Sequence, residues 1–294
     1  MNKLLTVFTP TYNRAHTLPV LYESLKAQED TDFIWLIIDD GSSDGTEELV
    51  RNWMKEGNPF EIRYVYKENG GMHTAHNTAY EMIDTELNVC IDSDDALAPG
   101  AVRLIRETWD KVCGRGYAGI IGLDADTNGR IIGKGFPEGL SETTLSGYYE
   151  NGGAGDKKLV YRTDVMREMP PYPVFAGEKY VGLNTKYTLC DQEYQLCVLP
   201  AVLCIVDYQA DGSSAAMWKQ YLRNPNGFAY LRRIDLTYRK SAKVLLKTAI
   251  HYDASCLLAG KNGFLADSPR PLLTALLLPL GCLLAAVTRV KGKD

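Results

Sequence analysis

No two of the seven cysteines form a C-x-x-C pair, and their number is odd, so the sequence carries neither a disulfide framework nor a structural zinc site. His16, His73 and His251 stand at spacings that suggest no zinc site either. Positive charge is not in excess: 32 lysines and arginines against 37 acidic residues leave a net charge of −5, too little basic field to gather nucleic acid. No G-x-G-x-x-G turn follows the first apolar run, which continues instead into TPTYNRAH, and no G-x-x-x-x-G-K-[ST] loop occurs. A dinucleotide-binding dehydrogenase and a P-loop nucleotide hydrolase both drop out. The amino terminus MNKLLTVFTPTYN has one lysine and a five-residue apolar run, too short for the core of a signal peptide. With the cysteine usage, this leads to the expectation of a reducing cytoplasm.

What is present is an alternation. The apolar runs LLTVFT (4–9), FIWLIID (33–39), IRYVY (62–66) and LNVCID (87–92) each precede a helical pattern. The first such helix carries Leu18, Leu21, Tyr22 and Leu25 on one stripe, the second Leu49, Val50, Trp53 and Met54; two more are expected at about 72–83 and 99–112. YAGIIGL (117–123) reads as a fifth strand. Continuous apolar strands between amphipathic helices imply an α/β fold with a mainly parallel, Rossmann-like sheet covered on both faces. In such sheets ligands bind beyond the carboxyl ends of the strands, and the polar clusters TPTYNR, DDGSSDGT, KENGGMHT and DSDD fall there. After about residue 129 the pattern is irregular, then helical from about 217 to 258, with no internal repeat.

The DSDD cluster puts Asp92, Asp94 and Asp95 within four residues, where repulsion raises the free energy unless a cation or a proton relieves it. A helix cap needs only one of them. Hard divalent ions take one or two carboxylates plus substrate phosphates, so Mg²⁺ or Mn²⁺ arriving with a diphosphate is the candidate relief. In IIDDGSSDGT, Asp44 or Ser43 suits a helix cap and leaves Asp39 and Asp40 over; a carboxylate there can accept hydrogen bonds from an imide such as uracil. KENGGMHTAHN is either a turn whose glycines supply positive φ, or a segment that brings Lys67, backbone N–H groups and a helix N-terminus to a diphosphate.

In that order and at those spacings, TVFTPTYNR, IIDDGSSDGT, ENGG and CIDSDD resemble the family 2 glycosyltransferases, nucleotide-diphospho-sugar enzymes of the GT-A fold, over about residues 4–125. The resemblance implies that Thr9, Pro10, Tyr12 and Arg14 surround the base, that Asp40 contacts it, that Asp92 approaches the ribose or sugar, and that Asp94 holds the metal. Lys67, Gly70, Gly71, Asn77 and Ser93 lie in the same segments and complete the expected donor site. The chain departs from the family at TAHN, where an arginine often precedes the asparagine and His76 stands instead. YPVFAGEKYVGL (172–183) resembles the element with the acceptor-side carboxylate, which makes Glu178 the expected base, with Asp191 and Glu193 as competitors. As a plain surface residue Glu178 would pair with Lys179. Asp156 and Lys157 either line the same cleft or sit on a surface turn.

The expected activity is transfer of a sugar, with inversion, from a nucleotide-diphospho-sugar, UDP foremost, to a saccharide or lipid-linked saccharide in bacterial surface polysaccharide assembly. A sugar nucleotidyltransferase is the alternative enzyme, though TPTYNRAH lacks the Gly-rich loop of that class; a non-catalytic, membrane-associated nucleotide-sugar binder is the other alternative. The catalytic domain is expected over 1–215, with 1–125 binding the nucleotide-sugar and 126–215 facing the acceptor, and a helical region over 216–294. Within it PLLTALLLPLGCLLAAVT (271–288) is uncharged and precedes Arg289, Lys291 and Lys293. Pro279 and Gly281 interrupt a run already at the short end for a bilayer. It reads as a buried core helix or as a membrane contact, the basic tail suiting the cytoplasmic leaflet. The expected location is cytoplasmic, peripheral or monotopic at the inner face of the cell membrane.

Overall fold

The computed structural model describes residues 3–207, 217–239 and 241–292; Lys293 and the expected boundary at 215 lie outside the described residues. The chain divides into two compact units, Met1–Pro170 with Glu193–Gln209, and Pro171–Gln192 with Ala210–Asp294. Residues 171–192, expected in the acceptor-side half, thus cluster with the C-terminal helices.

In the first unit the strands β1 (Leu5–Thr11), β2 (Phe33–Asp39), β3 (Glu61–Tyr66) and β4 (Leu87–Cys90) lie parallel in the order β3-β2-β1-β4. Each is followed by a helix: α1 (Leu18–Lys26), α2 (Thr46–Trp53), α3 (Met72–Met82) and, after the two-residue β5 (Ala96–Leu97), α4 (Ala101–Val112). Every residue of β1 and β2 is buried, which is why Phe33–Ile38 of β2 is apolar without alternation, while β1 also buries Thr6, Thr9 and Thr11. The α1 and α2 stripes close over the sheet, where the Tyr22 ring stacks on Trp53 at 4.3 Å and Trp35 is fully buried.

Beyond β4 the sheet turns mixed. β8 (Lys157–Arg162) is antiparallel to β4, β6 (Gly119–Asp126) is antiparallel to β8, and β9 (Leu196–Val206) runs parallel to β6. β5 and β7 (Glu142–Thr143) pair antiparallel with β9. The short helices α5 (Leu145–Glu150) and α6 (Thr163–Glu168) flank β8 in sequence. The α/β architecture expected from the sequence is therefore present, its parallel half carrying the four polar clusters.

The second unit is helical among the described residues: α7 (Asn184–Cys190), α8 (Met217–Arg223), α9 (Pro225–Tyr238), α10 (Ala242–Leu258) and α11 (Pro271–Lys291). α11 runs unbroken through Pro279 and Gly281. Gly281 is needed for close approach, since a Cβ there would meet Asp253 Cβ of α10 at 2.5 Å. One face of α11 buries Thr274, Gly281, Ala285 and Thr288, and Leu273 and Leu277 join a small core with Tyr252 and Phe264. The other face shows Leu272, Leu276 and Leu283, which are 88%, 75% and 62% exposed. Only a minority of the run is buried, so the buried-core expectation describes one face of α11 and leaves the leucine-bearing face outside it.

Asp253 is fully buried at that contact, and neither carboxyl oxygen has a hydrogen-bond partner among the described residues. Burial pushes its pKa up to about 7 from 3.8. An acid with a raised folded-state pKa leaves stability intact below the unfolded value and removes it as pH climbs to the folded value. The expected result is a fall in unfolding temperature between about pH 4 and pH 7, levelling off above. Asp253→Asn should remove most of that fall, a gain on the order of 4 kcal/mol at pH 8 and little at pH 4. Thermal melts of both proteins across that range check it; parallel curves would contradict it.

Candidate donor site in the first unit

The loops after β1, β2, β3 and β4 leave the sheet at the same end because those strands are parallel. The first two are latched together. Asn13 takes a φ of 53°, a left-handed conformation that Asn tolerates better than most residues. Its N–H donates to Ser42 Oγ at 2.8 Å, its Oδ1 accepts from the Ser43 N–H at 2.8 Å, and the Ala15 N–H donates to Asp44 Oδ2 at 3.0 Å. Asp44 also accepts from Thr46 N–H and hydroxyl, starting α2. Of the four residues expected around a base, Thr9 and Pro10 are buried within β1, and Thr9 Oγ1 receives the Trp35 indole N–H at 3.0 Å. Tyr12, half exposed, and Arg14 belong to the loop itself.

Asp39 accepts from the Ser42 N–H at 2.7 Å and from the Tyr64 hydroxyl at 2.6 Å. Asp40 organises the third loop. Its carboxylate accepts from Lys67 Nζ at 2.6 Å, the Gly70 N–H at 2.9 Å, the Gly71 N–H at 2.7 Å and Asn69 Nδ2 at 3.2 Å. Lys67 also donates to the Glu68 carbonyl and to Thr74 Oγ1. Removing one partner from such a largely buried pair costs about 3–5 kcal/mol, so Asp40 and Lys67 also hold the third loop in shape. Gly41, at φ 88°, lets the second loop lie against Asn69, whose backbone nitrogen would stand 2.9 Å from a Cβ there. Gly71, at φ 93°, starts α3. Asn77 is half-buried on α3.

His76, at the departure from the family pattern, is fully buried with its ring edge-on to Phe8 at 5.0 Å and beside Cys90 Sγ at 3.7 Å. It is packed in the core of this unit. His73 is also buried, and burial lowers its pKa.

After β4 the chain turns at DSDD, the Asp95 N–H donating to the Asp92 carbonyl at 3.1 Å. Asp92 and Asp94 are partly exposed, whereas Ser93 and Asp95 are buried. Asp95 Oδ2 lies 3.6 Å from Cys204 Sγ, and its Oδ1 accepts from the Asp207 N–H at 3.3 Å. Burial raises the Asp95 pKa to about 7, with Lys158 opposing and Asp92 and Asp94 adding to the rise. Two participants were not foreseen from the sequence. Asp124, on β6, is buried with Oδ1 lacking a hydrogen bond among the described residues, and burial raises its pKa. Lys158, on β8, donates to the Cys90 carbonyl at 3.5 Å and shares the electrostatic environment of Asp92, Asp95 and Asp124. Ending the fifth strand at 123 hid Asp124; the charge of Lys158 in an irregular stretch was the available signal.

The oxygen donors suit a hard divalent ion. No group of three His, Cys, Asp or Glu side chains that could hold a metal ion occurs among the described residues. Lys157 has a different role: its ammonium sits among the carbonyls of Ile132, Ala154, Gly155 and Asp156 and holds that loop. A cleft of about 750 Å³ lined by Glu86, Trp109, Arg162, Asp164 and Arg167 opens where β4 begins and β8 ends, away from these clusters. Its Arg162–Asp164 pair is already matched.

In the second unit, Glu178 caps α9. Its Oε1 accepts from the Asn226 N–H at 2.9 Å and Asn226 Nδ2 at 2.7 Å, and its Oε2 accepts from the Gly227 N–H at 2.9 Å. Asp191 closes α7, and Glu193 is exposed.

Comparison with known proteins places this geometry. A teichoic acid poly(glycerol phosphate) polymerase of Staphylococcus epidermidis is 33% identical over 115 residues, 39% of this chain and 16% of that protein. The chain thus spans a small part of that relative. A GalNAc(5)-diNAcBac-PP-undecaprenol beta-1,3-glucosyltransferase of Campylobacter jejuni is 29% identical over 264 residues, 84% of this chain and 82% of that one. Among solved structures, S. aureus TarS 1–349 in complex with UDP-GlcNAc superposes with a TM-score of 0.59 at 17% identity, covering 90% of this chain and 75% of that one. The mannosyltransferase PcManGT of Pyrobaculum calidifontis, in complex with GDP-Man and Mn²⁺, gives 0.56 at 16% identity, covering 98% and 85%. These likenesses establish the GT-A fold. The family profile matches residues 6–168, more than half of the 294, and includes all four loops and the aspartate cluster: the chain belongs to glycosyl transferase family 2.

Proposed function

We propose that the chain moves a sugar from a nucleotide-diphospho-sugar, UDP foremost, to a hydroxyl of a saccharide or lipid-linked saccharide, with inversion, in bacterial surface polysaccharide assembly. The observation that carries this reading is the gathering of the four loops at one end of parallel strands, inside the family match. The names of relatives support the substrate class: one concerns an undecaprenol-diphosphate-linked acceptor, and a structural neighbour holds UDP-GlcNAc.

Tyr12 and Arg14 face the base, Asp92 and Ser93 the ribose and sugar, and Asp94 holds Mn²⁺ or Mg²⁺ together with the diphosphate. Bound there, the ion supplies positive charge to the leaving diphosphate. Asp40, Lys67, Gly70 and Gly71 keep the third loop in shape, and Asn77 follows on α3. Glu178 takes the proton of the attacking hydroxyl, for which Asn226 must yield one carboxylate oxygen.

A thermal-unfolding screen of nucleotide-sugars with and without Mn²⁺ tests the substrate class. A UDP-sugar at one hundred times its Kd should stabilise by about 2.7 kcal/mol, more than other nucleotides do. Protection by a different nucleotide alone, or by none, would overturn it.

The exposed leucines of α11, with Arg289 and Lys291 behind them, rest on the anionic inner face of the cell membrane while the opposite face stays packed on α10. Leu272, Leu276 and Leu283 replaced together by Ser should cut cosedimentation with phosphatidylglycerol vesicles at least about tenfold, since each buried leucine contributes on the order of 1.5 kcal/mol or more. Unchanged cosedimentation would refute the contact.

A further inference from the structure

β8 brings a cation into the aspartate cluster from the opposite direction. It runs antiparallel to both β4 and β6, so its first residues lie at the carboxyl ends of those strands, where Asp92 and Asp124 emerge. Lys158 stands opposite Gly122, two residues before Asp124, and its ammonium reaches the Cys90 carbonyl, two residues before Asp92. Burial alone would depress the Lys158 pKa; Cys204, Asp124, Asp92 and Asp95 together hold it well above its ordinary value. Register and the Cys90 contact thus put one ammonium at the strand ends from which Asp92 and Asp124 emerge, with the Asp95 N–H turned back onto the Asp92 carbonyl. Lys157, the adjacent lysine, is committed to its four carbonyls. The buried, unpartnered Oδ1 of Asp124 indicates that the cluster is built to receive something further.

We propose that Lys158 is the resident cation of this cluster, offsetting its carboxylates while no nucleotide is bound and so keeping a free divalent ion from settling there ahead of the nucleoside diphosphate. The inference rests on the reading of Asp94 as the metal ligand. Its physical basis is repulsion between an ammonium and a dication held at the same strand ends, which the diphosphate's negative charge would outweigh when it arrives with the ion. Lys158 acts here as a positioning residue: it sets the order in which metal and nucleotide are bound.

The test measures free Mn²⁺ by electron paramagnetic resonance in titrations of the full chain, with and without UDP, for the parent, Lys158→Met and Lys158→Arg. The parent should hold Mn²⁺ weakly alone and more tightly with UDP. Lys158→Met should bind Mn²⁺ alone at least about tenfold more tightly, with a smaller further gain from UDP, and Lys158→Arg should match the parent. Equal affinity for Mn²⁺ alone in all three, with the parent still gaining from UDP, overturns the role of Lys158 and leaves the metal reading standing. No Mn²⁺ binding by the parent even with UDP removes the metal reading and this inference with it. Should Lys158→Met not fold, Lys158→Met with Asp124→Asn removes the cation together with one partner anion. Mn²⁺ binding without UDP should then stay at parental strength despite the lost carboxylate, and a tenfold loss would overturn the proposal.

Discussion

Glu178→Gln should slow turnover by about 10²–10⁴-fold while UDP binding hardly changes, because glutamine keeps the size of the side chain but cannot take a proton. The structure adds a second effect that must be separated from the first. The carboxylate caps α9 through Asn226 and Gly227, and glutamine offers only one acceptor oxygen for those donors. Losing part of a cap costs about 1 kcal/mol in stability, whereas the expected rate loss corresponds to about 3–5 kcal/mol in the barrier. The two are therefore distinguishable by magnitude: a shift of a few degrees in melting against a large fall in kcat. A cap alone would leave kcat near the parental value below the melting temperature. A lost binding contact would raise KM without so deep a fall in kcat. If the Gln variant turns over at the parental rate, Glu178 is a cap and Asp191 is the next residue to substitute.

The parallel half of the sheet was legible because its residues answer to local rules. Phe33–Ile38 is apolar at every position and Phe33–Asp39 is buried at every position, and the Leu18, Leu21, Tyr22 and Leu25 stripe is the buried face of α1. What escaped the sequence depends on partners far along the chain. β8 reads KKLVYR, too mixed to announce a strand, and becomes one only between β4 and β6. Asp40 was visible as a carboxylate at a strand end, but its donors lie 27 to 31 residues on. The same holds for Glu178, whose capping partners lie 48 and 49 residues on, and for Lys158, whose carbonyl acceptor lies 68 residues back. Hydropathy located α11, but could not show that Gly281 admits Asp253 on one face while Leu272 and Leu276 stay outside on the other.

Asp94→Asn should abolish the effect of Mn²⁺ on nucleotide binding while leaving the fold intact. Burial raises the Asp95 pKa to about 7 and Asp92 and Asp94 add to the rise, so removing one anion lessens that repulsion. Melting of the variant without metal should match the parent or rise slightly. With a carboxylate ligand gone, the ion and the diphosphate no longer reinforce each other, and the loss should reach about tenfold to a hundredfold in the Kd for UDP at saturating Mn²⁺, as for altered groups at other metal sites. Calorimetric titration of UDP into parent and Asp94→Asn, each with and without Mn²⁺, is the most direct measurement of whether the cluster is a donor site. The predicted result is tightening by Mn²⁺ in the parent and none in the variant; equal UDP affinity of the two proteins in Mn²⁺ would contradict it.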